Sequence, residues 1–354
     1  MNVRLNHQFP PAPGNPRNSE GAFLRGKNGE ILFAYSRYHG DSFHDHAACD
    51  IALTVSYDEG RTWGESRIIA HAAEFGTKNI MSVSAVEQTD GRLAFYFLIK
   101  ENDFTTTLGR AISADGVNFT VERCAARFPA AYYVVNNDRI IRLSDGRLVA
   151  PASYVSAQDV SAGRTHGMVA TALVSDDDGE SFYKSDFDFT TNDPVNARYG
   201  HQEPGMFERP DGSVYLWTRT GYGCQYESVS AAGLAGFFPP RPSEFTSPPS
   251  PMQIKADGEA VYAIYNPIPR YNGRDMLPGT WGRTPIVLRK STDGGYTFGK
   301  LNIIEDDPAR GYCYPALFGT RDGRLLLAYC RGDEADGNTL CRLGIAEVDI
   351  AQIE

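Results

Sequence analysis

The chain has 354 residues, a formal net charge of −10 and six scattered cysteines. The negative charge disfavours nucleic acid and anionic membranes as partners, and the sequence has no apolar run long enough to span a bilayer. The cysteines show no Cys-x-x-Cys spacing, and the segment Met1–Pro16 has no apolar core typical of a signal peptide. We therefore expect free thiols and a cytoplasmic protein, unless a leader has been removed.

One hairpin turn recurs along the chain at intervals of roughly 45 to 65 residues. Its six copies are Asn28-Gly29, Asp90-Gly91, Asp145-Gly146, Asp211-Gly212, Asp257-Gly258 and Asp322-Gly323. Each copy is followed by a short apolar run, and such dipeptides favour the tight turn between two antiparallel strands. Six repeated hairpins predict an all-β fold, a six-bladed β-propeller, formed by a single domain over residues 1–354.

A second motif, S-x-D-x-G-x-[ST]-[WF], alternates with these turns. It occurs at Ser56–Trp63, Ser175–Phe182 and Ser291–Phe298, and one residue short at Ser113–Phe119. The Asp side chain can close a turn through local hydrogen bonds while the Gly adopts a left-handed conformation and the aromatic ring packs beneath. The motif therefore predicts a structural turn and carries little information about function.

The proline-dense stretch Pro239–Pro251 is too short to separate two domains. We interpret it as a loop between strands and as a candidate wall of a pocket.

The hairpin turns also predict which residues lie at the far ends of the strands, about eight to ten positions away. In a propeller these ends converge around the central axis. Before the first strand of each unit the converging residues are Arg17 (a little further out), Ser82, Asn137, Glu203, Pro249 and Tyr314. After the second strand they are Arg37, Lys100, Tyr154, Arg219 and Asn266. Counting from the second motif adds Arg283, and the loop before its first copy adds Asp45.

Several arginines, two acids and a tyrosine are thus expected at one mouth. Charges directed into a concavity lose hydration, so they usually have partners or ligands. In a chain of negative net charge, a local group of arginines is what an anionic sugar requires.

These residues resemble the sialidase (neuraminidase) superfamily of Asp-box, or BNR repeat, propellers. Arg17 lies where that family has an Arg-Ile-Pro signature, although Asn18-Ser19 replaces Ile-Pro. The segment Glu203–Arg219 matches the family's Glu, hairpin and Arg spacing. Asp45, Arg283 and Tyr314 match its acid/base aspartate, third arginine and nucleophilic tyrosine.

The resemblance implies a retaining exo-α-sialidase-like glycoside hydrolase that cleaves a terminal sialic acid or related carboxylated sugar without a cofactor. Arg17, Arg219 and Arg283 would bind the sugar carboxylate, which suits the planar, bidentate guanidinium group. Tyr314 would be the nucleophile, Glu203 its base and Asp45 the acid/base. Arg37 and Asn137 are the remaining expected substrate contacts.

Some alternatives stay open from the sequence. Tyr312 competes with Tyr314, and Asp41 and Asp50 compete with Asp45. The run of His39, Asp41, His44, Asp45 and His46 suggests a metal, but it lacks a recognised zinc spacing, so no metal is expected. His201 is interpreted as a residue that supports the site or its specificity.

The expected partner is a carbohydrate with a carboxylate group, and the oligomeric state is not predicted. A propeller lyase or glycosidase acting on uronic-acid polysaccharide is one alternative, motivated by the altered Arg-Ile-Pro segment and the three histidines of the first-blade loop, His39, His44 and His46. A non-catalytic sugar-binding propeller is the other alternative. The combination of arginines with Glu203 and Tyr314 disfavours it.

Overall fold

The computed structural model describes residues 1–156, 159, 161, 167–191, 198–270 and 276–354. The described strands form six sheets, one for each predicted hairpin unit, so the predicted all-β six-bladed propeller is confirmed. Strands β1 to β26 follow chain order, and blades are numbered from the first hairpin turn.

In the first three blades, the strands are given from the axis outward. Blade 1 contains β2 (Asn18–Arg25), β3 (Ile31–Tyr38), β4 (Cys49–Ser56) and β5 (Arg67–Ala70). Blade 2 contains β6 (Ile80–Glu87), β7 (Leu93–Lys100), β8 (Thr106–Ser113) and β9 (Thr120–Arg123). Blade 3 contains β11 (Ala131–Val134) and β12 (Ile141–Arg142), which both pair with β13 (Leu148–Ser156), then β14 (Val169–Ser175), β15 (Ser181–Lys184) and β10 (Ala125–Arg127).

The last three blades follow the same order. Blade 4 contains β16 (Gln202–Glu208), β17 (Val214–Arg219), β18 (Cys224–Val229) and β19 (Arg241–Thr246). Blade 5 contains β20 (Gln253–Asp257), β21 (Ala260–Tyr265), β22 (Ile286–Ser291) and β23 (Asn302–Glu305). Blade 6 contains β24 (Cys313–Gly319), β25 (Arg324–Cys330), β26 (Leu343–Asp349) and β1 (Val3–Phe9). In the described part of the chain, the 3-10 helices Ala72–Phe75 and Ile350–Gln352 lie outside the sheets.

The strand that closes the ring comes from the other end of the chain. β1 pairs antiparallel with β26, with Val3 opposite Val348 and Phe9 opposite Leu343. Blade 6 therefore joins the first and last strands of the propeller, and the ring is held by backbone hydrogen bonds as well as by packing.

All six predicted hairpin turns join the first two strands of a blade. Their glycines have φ angles between 59° at Gly258 and 94° at Gly29, the left-handed region that these turns require. The core is divided among the blade interfaces, because apolar side chains of each blade pack against the next one.

The second motif forms the turn between the third and fourth strands. In blade 3, the Asp177 carboxylate accepts hydrogen bonds from the Ser181 backbone N–H (2.8 Å), the Ser181 hydroxyl (2.5 Å) and the Ser175 hydroxyl (2.8 Å). The copies at Asp58 and Asp293 make the same contacts. The predicted structural role is confirmed.

The inner strands of four blades share a β-bulge. Its residues are Glu20, Ser82, Glu203 and Tyr314, with φ angles of 55°, 63°, 45° and 53°. The pairing register with the second strand shifts at each of these positions. Left-handed φ angles are costly for residues other than glycine, and such strain collects at functional sites. All four side chains line one cavity on the propeller axis.

Two further expectations concern loops and cysteines. The stretch 239–251 is not wholly a loop, because it contains β19, the outer strand of blade 4, where prolines are tolerated since one edge is unpaired. Pro249 does line the axial cavity.

All six cysteines are free, and Cys224 is the one that is partly exposed. Among the described residues, none forms a helix that could cross a membrane.

Asp177→Ala is expected to lower the free energy of unfolding by about 1–3 kcal/mol, because three hydrogen bonds of the blade 3 turn are lost. Chemical denaturation measures this change. Asp176→Ala is the matched control, since the Asp176 carboxylate accepts a long hydrogen bond of 3.3 Å from Tyr183 at the surface, and its effect should stay below about 0.5 kcal/mol. Equal losses in the two variants would contradict the structural role of the motif.

Candidate active site

A cavity of about 600 Å³ opens at the axis, on the face where the far ends of the hairpin strands converge. This volume is typical of a small-molecule site. Among the described lining residues, the cations are Lys100, Arg198, Arg219, Arg270 and Arg283, and the acids are Glu20, Asp45 and Glu203. The cavity thus carries an excess of positive charge within a chain whose net charge is −10, which favours an anionic ligand.

Tyr314 and Glu203 form a direct pair in this cavity. The Tyr314 hydroxyl donates a hydrogen bond to Glu203 Oε1 (3.0 Å), and Arg219 Nη1 donates to Glu203 Oε2 (2.8 Å). Both oxygens of the carboxylate are therefore held, one by the tyrosine and one by the arginine. The bulges of β16 and β24 turn the two side chains toward each other across the axis.

The charges around this pair determine its protonation. Burial favours the neutral form of Glu203, but the Arg219 and Arg283 guanidinium groups and the hydrogen bond from Tyr314 together outweigh it and lower the pKa of Glu203. Burial and the adjacent Glu203 carboxylate raise the pKa of Tyr314 well above its usual value. The resting pair is consequently a carboxylate that accepts a hydrogen bond from a neutral phenol.

Arg139 contacts the backbone of Glu203, behind the Tyr314–Glu203 pair. Its Nη1 donates to the Glu203 carbonyl oxygen (3.0 Å) and its Nη2 to the Met252 carbonyl oxygen (2.5 Å). The side chain is buried, and desolvation lowers its pKa to about 10. Arg139 thereby connects blades 4 and 5 at the strained backbone of Glu203.

Arg283 lies on the other side of Tyr314, with its guanidinium carbon 5.9 Å from the tyrosine ring centre and 5.0 Å from that of Trp281. Its Nη1 donates to the Cys313 sulfur (3.2 Å), and its backbone carbonyl accepts from the buried Asn266 amide (3.0 Å). The Nε atoms of Arg219 and Arg283 have no hydrogen-bond partner among the described residues. Both guanidinium groups keep unused donors.

Arg17 is placed differently from the expected clamp. Its side chain is 1% exposed and is absent from the described lining of the cavity. Its Nη1 donates to Asp45 (2.5 Å), its Nη2 to Glu20 (2.8 Å) and its Nε to Ser19 (2.9 Å). Arg17 is thus neutralised within the chain, and Arg219 and Arg283 are the two predicted clamp residues that the cavity brings together.

Asp45 lies at the mouth of the cavity, on the loop between β3 and β4. Its side chain is 60% exposed, and its backbone carbonyl accepts a hydrogen bond from Lys100 Nζ (2.5 Å). Desolvation opposes ionisation, but the Arg17 guanidinium prevails and lowers the pKa of Asp45 to about 2. In the absence of substrate Asp45 is therefore a carboxylate at neutral pH.

The two remaining predicted contacts lie outside the described cavity lining. Arg37 is exposed on β3, opposite Asn18 and Asp50 in the sheet. Asn137 is buried, and its amide donates to the carbonyl oxygens of Gly21 (2.9 Å) and Tyr314 (3.3 Å). Asn137 therefore connects two bulges, and neither side chain occupies the position expected of a substrate contact.

The alternatives left by the sequence are separated by position. Tyr312 is fully buried in the interface of blades 5 and 6, whereas Tyr314 lines the cavity. The Asp50 carboxylate accepts from the Ala72 backbone N–H (2.8 Å), away from the axis, and Asp41 is an exposed loop residue. No group of three or more potential metal ligands occurs among the described residues.

Glu20 lines the cavity but is not among the residues predicted to lie there; Arg198, Arg270 and Trp281 are further lining residues outside the prediction. A signal for Glu20 exists, because Glu20, Ser82, Glu203 and Tyr314 each precede their turn glycine by nine residues. In blade 1 the predicted residue is Arg17, three positions before Glu20. The constant spacing reflects the shared bulge, which adds a residue to each inner strand.

Comparison with known families agrees with this architecture. A family model described as "BNR repeat-like domain" matches residues 33–327. The chain belongs to the BNR repeat-like family. A search of curated proteins finds no significant match.

Solved structures with the same BNR propeller fold include two enzymes and one protein of unknown function. The Hadza microbial sialidase Hz136 is 14% identical with a TM-score of 0.73, over 96% of this chain and 67% of that one. A protein of unknown function from Dyadobacter fermentans is 17% identical with a TM-score of 0.72, over 98% of both chains. The intramolecular trans-sialidase from Ruminococcus gnavus is 14% identical with a TM-score of 0.68, over 98% and 97%. At these identities the likeness establishes the fold, a sialidase-like propeller.

His201 precedes Glu203 but is buried outside the cavity lining. Its Nδ1 is 2.9 Å from the Thr218 hydroxyl, and its ring contacts Phe189 and Tyr226 edge-on. Burial lowers the pKa of His201 from 6.5 to about 4. The unfolded chain therefore binds a proton between these pH values that the folded chain does not.

The neutral, buried His201 contributes to the free energy of unfolding in full above pH 6.5. This contribution falls by about 3 kcal/mol as the pH decreases from 6.5 toward 4, because the unfolded chain takes up the proton first. His201→Gln keeps a polar partner for Thr218 and does not titrate. We expect its free energy of unfolding to decline less than that of the wild type between pH 7 and 4, by about this amount, in urea denaturation at a series of pH values. Parallel pH curves for the two proteins would contradict this assignment.

Proposed function

We propose that this protein is a retaining glycoside hydrolase that releases a terminal sialic acid or a related sugar with a carboxylate next to its anomeric carbon. The observation that carries the proposal is the Tyr314–Glu203–Arg219 arrangement, in which a neutral tyrosine donates to a held carboxylate inside the axial cavity. A tyrosine nucleophile suits such a sugar, because an anionic nucleophile would be repelled by its carboxylate.

In the first step, Tyr314 Oη attacks the anomeric carbon while Glu203 accepts the phenolic proton. The bond to the leaving oxygen breaks, and that oxygen takes a proton from an acid of the site. In the second step, water attacks the same carbon and gives a proton to the conjugate base of that acid, the bond to Tyr314 breaks, and Glu203 returns the proton to the phenol. Two displacements at one carbon retain its configuration.

Arg219 and Arg283 are the proposed carboxylate ligands. They flank Tyr314 and Glu203 and keep unused donors. The excess of cations in the cavity lining attracts an anionic substrate to a chain that is otherwise acidic. Asp45 and Glu20 belong to blade 1, which lies across the ring from blade 4, and they supply the acidic side of the cavity where the leaving oxygen is protonated.

Tyr314→Phe is expected to lower kcat on an aryl α-sialoside by about 1,000-fold or more, because the nucleophilic oxygen is lost. Tyr312→Phe is the matched control, since this ring lies in the blade 5–6 interface, and its activity should stay within about threefold of the wild type. Release of the aryl group is the measurement, and NMR of the first product identifies the retained anomer.

Full activity in Tyr314→Phe would exclude Tyr314 as the nucleophile. A wild-type protein that leaves sialosides intact but forms unsaturated uronates, absorbing in the near UV, from uronic-acid polysaccharide would support elimination instead. Binding of sialosides without turnover would favour a sugar-binding propeller.

Arg219→Ala is expected to raise the pKa of Glu203, because the largest of the charges that favour its ionised form is removed. The acid limb of the pH profile of kcat/KM should move to higher pH, and transition-state binding should weaken by about 2 kcal/mol or more. Arg37→Ala is the control, since this exposed arginine lies outside the described cavity lining. Equal effects of the two substitutions, or an unmoved acid limb in Arg219→Ala, would contradict the assignment.

A further inference from the structure

The four bulges of the inner strands point to a functional residue beyond the predicted set. Glu203 and Tyr314 occupy two of these strained positions and form the pair described above. Glu20 and Ser82 occupy the equivalent positions in blades 1 and 2, and both line the same cavity. Left-handed conformations of non-glycine residues cluster at functional sites. Of the two remaining bulge residues that line the cavity, Glu20 is the one with an acidic side chain.

Glu20 is held firmly within this cavity. Its Oε1 accepts from Arg17 Nη2 (2.8 Å) and its Oε2 from the Ser82 hydroxyl (2.5 Å), while its side chain is 3% exposed. The Asn137 amide donates to the carbonyl oxygens of both Gly21 and Tyr314. The Glu20 bulge and the Tyr314 bulge are thereby fixed relative to each other through one buried side chain.

Two carboxyl groups share Arg17, and their surroundings differ. Asp45 is largely exposed on a loop, and the Arg17 guanidinium lowers its pKa to about 2. Glu20 is buried, and desolvation together with the Asp45 charge raises the pKa of Glu20 in spite of Arg17, Ser82 and Lys100. Neighbouring carboxyl groups whose environments favour opposite protonation states commonly divide acid and base roles.

We propose that Glu20, rather than Asp45, is the carboxylic acid that protonates the leaving oxygen, with Asp45 serving to neutralise and position Arg17. The inference rests on the proposed glycosidase function and extends it. In the first step, protonated Glu20 gives its proton to the glycosidic oxygen as the bond from that oxygen to the anomeric carbon breaks. The alcohol or phenol leaves neutral, and Glu20 remains as a carboxylate.

In the second step the Glu20 carboxylate takes a proton from the attacking water. The water oxygen forms its bond to the anomeric carbon while the bond to Tyr314 breaks. Glu20 is protonated again at the end of the cycle, as is Tyr314, so no external proton donor is consumed. Ser82 orients the carboxyl group in both states, because a hydroxyl can donate to a carboxylate or accept from a carboxylic acid.

The experiment compares Glu20→Gln and Asp45→Asn on two substrates, 4-nitrophenyl and phenyl α-sialoside. Nitrophenolate departs without protonation, whereas phenolate needs a proton. Glu20→Gln should lower kcat/KM on the phenyl sialoside by about 100-fold or more, and on the nitrophenyl sialoside by less than about tenfold. Asp45→Asn, which alters the other partner of Arg17, should lower both values by a similar factor. A role confined to holding Arg17 would not create a dependence on the leaving group.

Equal losses in Glu20→Gln on the two substrates would overturn the proposal, and so would a leaving-group dependence in Asp45→Asn. The melting temperature of Glu20→Gln shows whether this variant folds. If it does not fold, the presence or absence of a leaving-group dependence in Asp45→Asn still tests the assignment of the acid. Absence of sialoside turnover in the wild type would overturn the proposed function itself. The failure of the Glu20 assignment alone leaves wild-type turnover intact, so the two failures are distinguishable.

Discussion

The site depends on a conformational constraint in the backbone, the bulge that the inner strands of blades 1, 2, 4 and 6 share. In a regular strand, successive side chains alternate between the two faces of the sheet, and both faces of a blade are covered by neighbouring blades. A left-handed residue interrupts that alternation and directs one side chain to the axis instead. The strain at each bulge costs of order 1–3 kcal/mol, and the packing of six blade interfaces offsets it.

The cavity also depends on the pairing of its acidic and basic side chains. Each acid of the lining has a cationic neighbour: Glu203 pairs with Arg219, and Glu20 and Asp45 pair with Arg17. These pairs differ in what they leave available. Arg17 uses Nε, Nη1 and Nη2 within the chain, whereas Arg219 and Arg283 use Nη1 for Glu203 and Cys313 and each keep an Nε without a partner among the described residues. The capacity for an anionic ligand is therefore concentrated beside Tyr314, and the opposite side of the cavity has the character of an acid.

The turns and the Asp-box motif were sufficient to predict the fold, because each depends on local backbone conformations that few residues adopt. Measuring from the turns also placed Glu203, Arg219, Arg283 and Tyr314 at the cavity. It could not place Arg17 or Arg37, since the distance along a strand does not determine on which side of a bulge a side chain emerges. The burial of Arg17 between two carboxyl groups and the closure of blade 6 by β1 depend on long-range contacts that no local pattern records.

The pairing of β1 with β26 links the completion of the axial cavity to the order in which the blades form. The blade that carries Tyr314 is completed only when strands from the two ends of the propeller meet, a closure over almost the whole chain and thus one with a large loop entropy. Blades 1 to 5 consist of neighbouring segments and can form from local contacts. The blade that carries Tyr314 therefore cannot be completed by neighbouring segments alone, and a chain that lacks β1 or β26 leaves this side of the axial cavity on an unfinished sheet even where the other five sheets are formed.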